Sequence, residues 1–150
     1  MTAPTDWQPD WQPRQMPTLL INHYGRLLTR QADERLKTIG LTASQLPVLA
    51  ALKDGGALTQ RELAEAAGVE QPSMAQLLAR MERDGLVRRD PSPTDGRSSL
   101  VSLTPAAQRK LEPGRALLRQ IDEEACAIFT PAEREALAGM LLRLLEAAYQ

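Results

Sequence analysis

The spacing of apolar residues predicts an amphipathic helix near the middle of the chain. Over residues 71–83 they recur at intervals of three and four, at Met74, Leu77, Leu78 and Met81. Pro72 suits the first turn, where no backbone N–H is needed, and Gly85 suits the left-handed position just beyond the end. The remaining face carries small and hydrogen-bonding side chains, so this helix could approach another surface closely.

The hydrophobic period then changes from that of a helix to that of strands. Residues 86–89 and 98–103 are two short strand candidates, and the loop between them, residues 90–97, is dense in turn residues with an Asp-Gly pair near its tip. Residues 57–58 are long enough for one further short strand against this hairpin. We therefore expect a helix followed by a small β-hairpin wing.

Two shorter helices precede this unit, at residues 43–53 and 60–67. Each begins with Thr followed three residues later by Gln or Glu, the spacing of a capping box, at Thr42 and Thr59. Gly68 supplies a turn after the second of them. The order helix, glycine turn, helix is that of a helix-turn-helix motif.

Longer apolar helices flank this region. Residues 19–39 read as a helix that ends at Gly40, and further helices begin near Thr104 and Thr130. Pro113-Gly114 predicts a kink or a break in the helix after Thr104. The last helix has an almost unbroken apolar stripe, which would pack within one chain or, as we expect, form a homodimer interface with the first helix.

Residues 77–89, LLARMERDGLVRR, followed by Asp95-Gly96-Arg97 and by residues 101–104, resemble the MarR family of bacterial transcription regulators. The resemblance implies a mainly α fold with a small β-hairpin wing, a winged helix-turn-helix with N- and C-terminal dimerisation helices. It divides the chain into an extended or disordered segment at 1–17, a DNA-binding region at 41–103, and dimerisation helices at 18–40 and 104–150. The helix after the wing is usually uninterrupted in this family, so Pro113-Gly114 is a departure from the pattern.

The same resemblance implies double-stranded DNA as the partner and a homodimer that binds a pseudo-palindromic operator. Gln71, Ser73, Ala75 and Gln76 would face base edges in the major groove, and Arg80 and Arg83 would lie nearer phosphates. Arg97 would enter the minor groove with Asp95 holding its guanidinium in position. The helix start at Thr59 and Gln60 would contact phosphate. Repression is the commoner mode in the family, often relieved by a small aromatic or phenolic compound.

Charge is a mild objection to this interpretation. The net charge is −1 and the isoelectric point is about 5.9, and acidic residues roughly balance basic ones between Arg61 and Arg97. The alternative is a winged-helix dimer that has lost DNA binding and acts as a protein-interaction or ligand-binding module.

Effector contacts are harder to predict. His23, Arg26 and Arg30 share one face of the first helix, where a basic residue could pair with a ligand carboxylate in proteins of this family. The same three residues could instead form a solvated or interhelical ion-pair face. The N-terminal repeat Asp-Trp-Gln-Pro, with Trp7 and Trp11, would pack on the dimer surface, extend freely, or contribute to a partner or ligand site.

We find no sequence pattern for a metal site, a cofactor or an enzyme. Cys126, the single cysteine, excludes an intramolecular disulfide, and we expect an inert buried thiol rather than a redox sensor. No apolar run is long enough to span a bilayer and the N-terminus has no signal-peptide core, so we expect no membrane association and a cytoplasmic protein.

Overall fold

Six α-helices and three short strands make up most of residues 13–150, the part of the chain that the computed structural model describes. The helices are α1 (Pro17–Leu36), α2 (Leu46–Ala51), α3 (Gln60–Ala67), α4 (Gln71–Arg83), α5 (Pro105–Ala125) and α6 (Pro131–Ala148). The strands are β1 (Leu58–Thr59), β2 (Val87–Pro91) and β3 (Ser99–Leu103). The expectation of a mainly helical fold with a small β-hairpin wing is confirmed.

The core lies beneath α4. Its stripe of Met74, Leu78 and Met81 is completely buried and packs with aliphatic side chains from the other elements of the winged helix. Helix α4 ends as expected, with Gly85 at φ 73° and the Leu86 N–H bonded to the Met81 carbonyl at 2.9 Å. The chain therefore reverses there and enters β2.

The sheet has the order β1-β3-β2, and both pairs are antiparallel. Val87 lies opposite Leu103 and Pro91 opposite Ser99, so β2 and β3 form one continuous hairpin. Strand β1 pairs Leu58 with Val101, as the expected short strand against the wing. The sheet fixes the wing to the base of α3, because β1 runs directly into that helix.

Helix α5 is continuous through Pro113, so of the two outcomes expected at Pro113-Gly114, a kink or a break, the break does not occur. Gly114 is buried, and a Cβ built on it would lie 3.5 Å from the Leu41 methyl carbon, which is ordinary van der Waals contact. Proline costs one intrahelical hydrogen bond. Gly114 lies beside Leu41 and Ile39, whose methyl carbons are 3.5 Å and 3.9 Å from a Cβ built on it.

The helix boundaries near the N-terminus differ from those expected. A 3₁₀ turn covers Pro13–Gln15 and α1 begins at Pro17, where an extended segment was expected up to residue 17; residues 1–12 lie outside the described part. The proline ring presets the helical φ at the first turn. Another 3₁₀ turn, Ala43–Gln45, precedes α2, which ends at Ala51 rather than at residue 53.

Two ion pairs brace the long helices. Arg35 of α1 pairs with Glu124 of α5, and Arg134 of α6 pairs with Asp122. The hydrogen bond from the Arg35 guanidinium lowers the pKa of Glu124 below its ordinary value. Because the folded pKa is lowered, this pair's contribution to stability is present at neutral pH and is lost as the pH falls through that pKa.

Helix α6 has no buried residue. Leu142, Leu144 and Leu145 are each more than half exposed, and Leu20 and Tyr24 of α1 are nearly so. An apolar face this large is what an interaction surface presents to water before its partner binds. No helix among the described residues combines the length and the low polarity needed to cross a membrane.

Two glycine substitutions with opposite expected effects test this packing. Gly114→Ala should stabilise the fold by about 0.5–1 kcal/mol, because alanine is the better helix residue and its methyl group fits. Gly40→Ala should destabilise it by about 1–2 kcal/mol. The reason is its φ of 75°, which L side chains rarely adopt; the Lys110 ammonium, 2.7 Å from the added Cβ, is the end of a flexible side chain and can move aside. Urea unfolding measures both, and destabilisation by Gly114→Ala would contradict the packing described for α5.

Candidate nucleic-acid interface

The local sequence determines where α3 begins and ends. The Thr59 hydroxyl accepts the Glu62 N–H at 3.2 Å, and the Glu62 carboxylate accepts the Thr59 N–H at 3.2 Å, so the predicted capping box is formed. At the other end of α3, Gly68 takes the left-handed conformation with φ 66°. Glu70 then precedes α4 as its N-cap residue.

Most of the residues predicted to contact DNA share the exposed side of α4. Since the apolar stripe of this helix is buried, its polar residues are left in solvent: Gln71, Ser73, Gln76, Arg80 and Arg83. Ala75 is half-buried and so offers only part of its methyl group to a base. The structure therefore gathers these six positions on one helix with one open face.

Thr59 and Gln60 are only half-buried at the start of α3. The Thr59 hydroxyl is occupied twice, because it also donates to the Glu62 carboxylate at 2.9 Å. A phosphate at this point would thus meet the first-turn N–H groups of Gln60 and Arg61 rather than the threonine side chain.

Hydrogen bonds fix the tip of the wing. The Ser92 hydroxyl accepts the N–H groups of Thr94 at 3.4 Å and Asp95 at 3.3 Å, and the Ser92 N–H bonds the Ser98 carbonyl at 3.0 Å. Ser92 was not among the residues predicted from the sequence to shape the wing. The Ser-x-Thr spacing at the start of the loop was the available signal, because serine commonly bonds backbone N–H groups two or three residues ahead.

The Asp95 carboxylate contacts the backbone of Arg97 and not its guanidinium, so the predicted contact with the guanidinium is not formed within the described residues. The carboxylate accepts the Arg97 backbone N–H at 3.0 Å and the Ser98 hydroxyl at 3.1 Å. The carboxylate therefore shapes the turn from which Arg97 projects. The Arg97 side chain is exposed and forms no ion pair within the described residues.

Five of the seven acidic residues between Arg61 and Arg97 are engaged within the protein, whereas Glu70 and Asp84, at the two ends of α4, form no ion pair among the described residues. Three of them pair with arginines of α3 and the wing: Glu65 with Arg61, Glu82 with Arg89 and Asp90 with Arg88. Glu62 caps α3 and Asp95 shapes the wing turn. Within residues 13–150, Arg80, Arg83 and Arg97 have no acidic partner.

The predicted effector residues do not lie in an enclosed site. His23, Arg26 and Arg30 are all exposed on α1. A cavity of about 210 Å³ lies instead between α2 and α5, with leucines on its walls and Lys53, Lys110 and Arg115 among its lining residues. This cavity was not apparent from sequence spacing, because α2 and α5 are far apart along the chain.

Other candidate chemistry is absent from this part of the chain. Residues 13–150 contain no cluster of three His, Cys, Asp or Glu residues that could hold a metal ion. Cys126 is half-buried rather than buried as expected, because it lies in a 3₁₀ turn at the end of α5, 4.0 Å from the Asp122 carboxylate.

A buried stripe beneath an exposed polar helix, a capped helix before it and a rigid hairpin after it define a winged helix-turn-helix DNA-binding protein. Comparison of the chain with known proteins leads to the same class of protein. The model of the MarR family matches residues 39–98. The regulator YwoH of Bacillus subtilis, itself uncharacterised, is 33% identical over 126 residues, covering 84% of this chain and 91% of YwoH.

Other transcriptional regulators are also similar to this chain. The transcriptional repressor NicR of Pseudomonas putida is 31% identical over 106 residues, 71% of this chain and 67% of NicR. The crystal structure of a mutant of Escherichia coli MarR with operator DNA is similar, with a TM-score of 0.77 and 28% identity, covering 84% of this chain and 91% of that one. The chain belongs to the MarR family of DNA-binding transcriptional regulators and is not an enzyme.

Two substitutions in the wing should distinguish the contribution of its charge to DNA binding from the contribution of its turn conformation. Arg97→Ala should cost about 1–3 kcal/mol of DNA binding per half-site and lower the salt dependence by about one ion, since a cation is lost. Ser92→Ala should weaken binding by about 0.5–1.5 kcal/mol with no change in the salt dependence, because it loosens the turn without altering charge. Fluorescence anisotropy across a salt series measures both.

Ser102→Ala is the matched control, because its hydroxyl lies on β3 away from the wing tip and forms no hydrogen bond among the described residues. An Arg97→Ala protein that binds DNA as tightly as wild type would show that the wing makes no essential contact.

Proposed function

We propose that this protein is a homodimeric repressor that binds a pseudo-palindromic operator and is released by a small aromatic or phenolic ligand. The observation that carries the DNA-binding part is the set of arginines without acidic partners beside the exposed face of α4. Within residues 13–150 these are Arg80 and Arg83 on that helix and Arg97 on the wing, while Glu70 and Asp84 at the helix ends are likewise unpaired. The repressor assignment draws on the similarity to NicR.

The roles of the α4 residues follow from their chemistry. Gln76 can bond adenine through both amide groups, and Gln71 and Ser73 can contact other base edges. Arg80 and Arg83 would contact phosphates, which position the protein without reading sequence. Ala75 would touch a thymine methyl group with its exposed part.

Binding to the DNA upstream of the protein's own gene tests this assignment. We expect saturable binding that competes poorly with random duplex and weakens steeply with salt. Gln76→Ala should reduce the preference for operator over random DNA, whereas Arg80→Ala should weaken both about equally. If no genomic fragment binds at low salt, DNA binding by this chain is excluded and the interaction-module alternative takes its place.

The homodimer rests on exposed apolar side chains of α1 and α6. Tyr24 and Leu27 of α1 and Leu142 and Leu145 of α6 are between 37% and 56% exposed, and an exposed apolar surface of this kind marks a protein–protein interface. A two-fold dimer would repeat α4 on both sides of its axis. Two copies of α4 about 34–36 Å apart would match successive major grooves on one side of the duplex.

A charged substitution on this surface tests the dimer. Leu145→Asp should give a monomer by sedimentation equilibrium and a large loss of operator affinity, because a carboxylate in an apolar interface has no partner. Glu135→Lys, at an exposed polar position of α6, should remain dimeric. A dimeric Leu145→Asp protein would place the interface elsewhere.

We propose two candidate positions for the effector. His23, Arg26 and Arg30 on α1 would pair with a carboxylate between protomers, and the cavity between α2 and α5 would hold an aromatic ring with Arg115 or a neighbouring lysine on the acid group. A bound effector at either position would alter how α5 joins the dimer helices to the winged helix. The cavity also has the size of a single ring with a small substituent.

Release of operator DNA by simple aromatic carboxylates distinguishes the two positions. Arg115→Ala should raise the effector concentration needed for release if the cavity is the site, and Arg30→Ala should do so if α1 is the site. DNA affinity without effector should change little in either variant, because neither residue lies on α4 or the wing. If the compounds release no DNA from wild type, the effector proposal fails while the DNA-binding proposal stands.

A further inference from the structure

The C-terminal end of α6 reaches the turn between α3 and α4. Tyr149 directly follows the last residue of α6, and Gly68 is the left-handed residue that ends α3. A Cβ built on Gly68 would lie 2.7 Å from the Tyr149 hydroxyl oxygen and 3.9 Å from its Cζ atom. The tyrosine hydroxyl therefore occupies the space in which any other residue at position 68 would place its side chain.

The turn that the tyrosine contacts leads directly into α4. The Gly68 N–H bonds the Glu65 carbonyl at 3.2 Å. The Val69 N–H bonds the Ala64 carbonyl at 3.1 Å, so backbone hydrogen bonds close the turn. Only two residues separate Gly68 from Gln71, the first residue of α4. Because so short a connection has little freedom, a contact that holds Gly68 in place also holds the start of α4.

Within one chain, α6 is tied to α5 at its start, where Arg134 pairs with Asp122. No residue of α6 is buried. Leu142 and Leu145 lie on the same face of the helix as Tyr149, because residues spaced by four and seven positions fall within about 60° of one another. These two leucines belong to the surface proposed above for the second copy. Packing of the dimer on them would fix the end of α6, and Tyr149 with it.

We propose that Tyr149 is a positioning residue for operator recognition, which transmits the arrangement of the two protomers to α4 through its contact with Gly68. This role rests on the homodimer proposed above. Helix α5 joins the dimer helices to the wing, and Tyr149 adds a second connection at the start of α4. Two connections restrict the orientation of α4 more than one does. Tyr149 thereby limits the range of half-site separations that the dimer accepts.

This role differs from that of a residue that stabilises the fold. The Tyr149 side chain is 73% exposed, so its substitution should change the free energy of unfolding little. It lies on neither α4 nor the wing, so the contacts with a single half-site should stay the same. The preference for one half-site separation is therefore the property that Tyr149 should control.

Operators with altered spacing test the role of Tyr149. The probes are the palindromic duplex that the wild-type protein protects upstream of its own gene, the same duplex with one base pair inserted between the half-sites, and a duplex with a single half-site. One inserted base pair separates the half-sites by about 3.4 Å more and rotates them by about 35°.

Tyr149→Ala should bind the native palindrome about 2- to 30-fold more weakly than wild type and discriminate less against the inserted base pair. Its affinity for the single half-site should equal that of wild type. Unchanged discrimination between the two spacings would overturn the proposal, and so would an equal loss of affinity for the single half-site.

Two left-handed glycines provide a matched pair. Gly68 and Gly85 have φ values of 66° and 73°, so alanine is similarly strained at either position. Only at Gly68 would the new methyl group meet Tyr149, because a Cβ built on Gly85 has no atom of the described residues within 4 Å. Urea unfolding should therefore show similar losses of stability for Gly68→Ala and Gly85→Ala.

The two glycine variants should differ in their discrimination between spacings. Gly68→Ala should lower it when Tyr149 is present and lower it no further in the Tyr149→Ala protein, because the two changes remove one contact. An equal effect of Gly68→Ala with and without Tyr149, or the same loss from Gly85→Ala, would show that the contact does not set the spacing.

Sedimentation equilibrium distinguishes failure of this proposal from failure of the homodimer. We expect wild type and Tyr149→Ala both to be dimers, because the substitution leaves Leu142 and Leu145 in place. A monomeric wild type would refute the homodimer and the role of Tyr149 together. A dimeric Tyr149→Ala protein with the spacing preference of wild type would refute the role of Tyr149 and leave the homodimer standing.

Discussion

Burial of the apolar stripe of α4 is the constraint on which the rest of the winged helix depends. Met74, Leu78 and Met81 are completely excluded from solvent. Because this stripe faces the core, the polar residues of the same helix have to face away from it. A helix that contacts base edges needs one face held rigidly by the core and the opposite face open to DNA. The aliphatic core holds the buried face. Rotation of α4 by one residue would both expose a methionine and withdraw Gln76.

The elements around α4 convert this orientation into a binding surface. Gly68 and Gly85 terminate α3 and α4 with left-handed residues, and each is followed by a chain reversal. Strand β3 pairs on both sides, with β1 and with β2, so it connects the wing to the start of α3. The position of Arg97 relative to α4 is therefore set by backbone hydrogen bonds of the sheet and by the Ser92 and Asp95 contacts at the wing tip.

The outer helices follow a different principle. Helices α1 and α6 leave large apolar side chains in solvent, and an apolar groove between them is unfilled by described residues. The winged helix is complete within one chain, whereas the outer helices require further surfaces. A second copy of the chain would cover the exposed apolar side chains of α1 and α6.

Local sequence determined much of the DNA-binding region, and only the tertiary structure decided where its charges lie. The cap at Thr59 and the start of α5 after Thr104 depend on residues a few positions apart, and the sequence predicts both correctly. At Pro113 the local sequence left a kink and a break open, and the folded chain keeps α5 continuous. Folding also places Glu82 of α4 beside Arg89 of β2. The positions of the charged residues along the sequence do not predict this ion pair. A near-neutral sequence thereby presents Arg80, Arg83 and Arg97, on α4 and the wing, without acidic partners among the described residues. The physical reason is that electrostatic pairing depends on distance in space rather than on order along the chain.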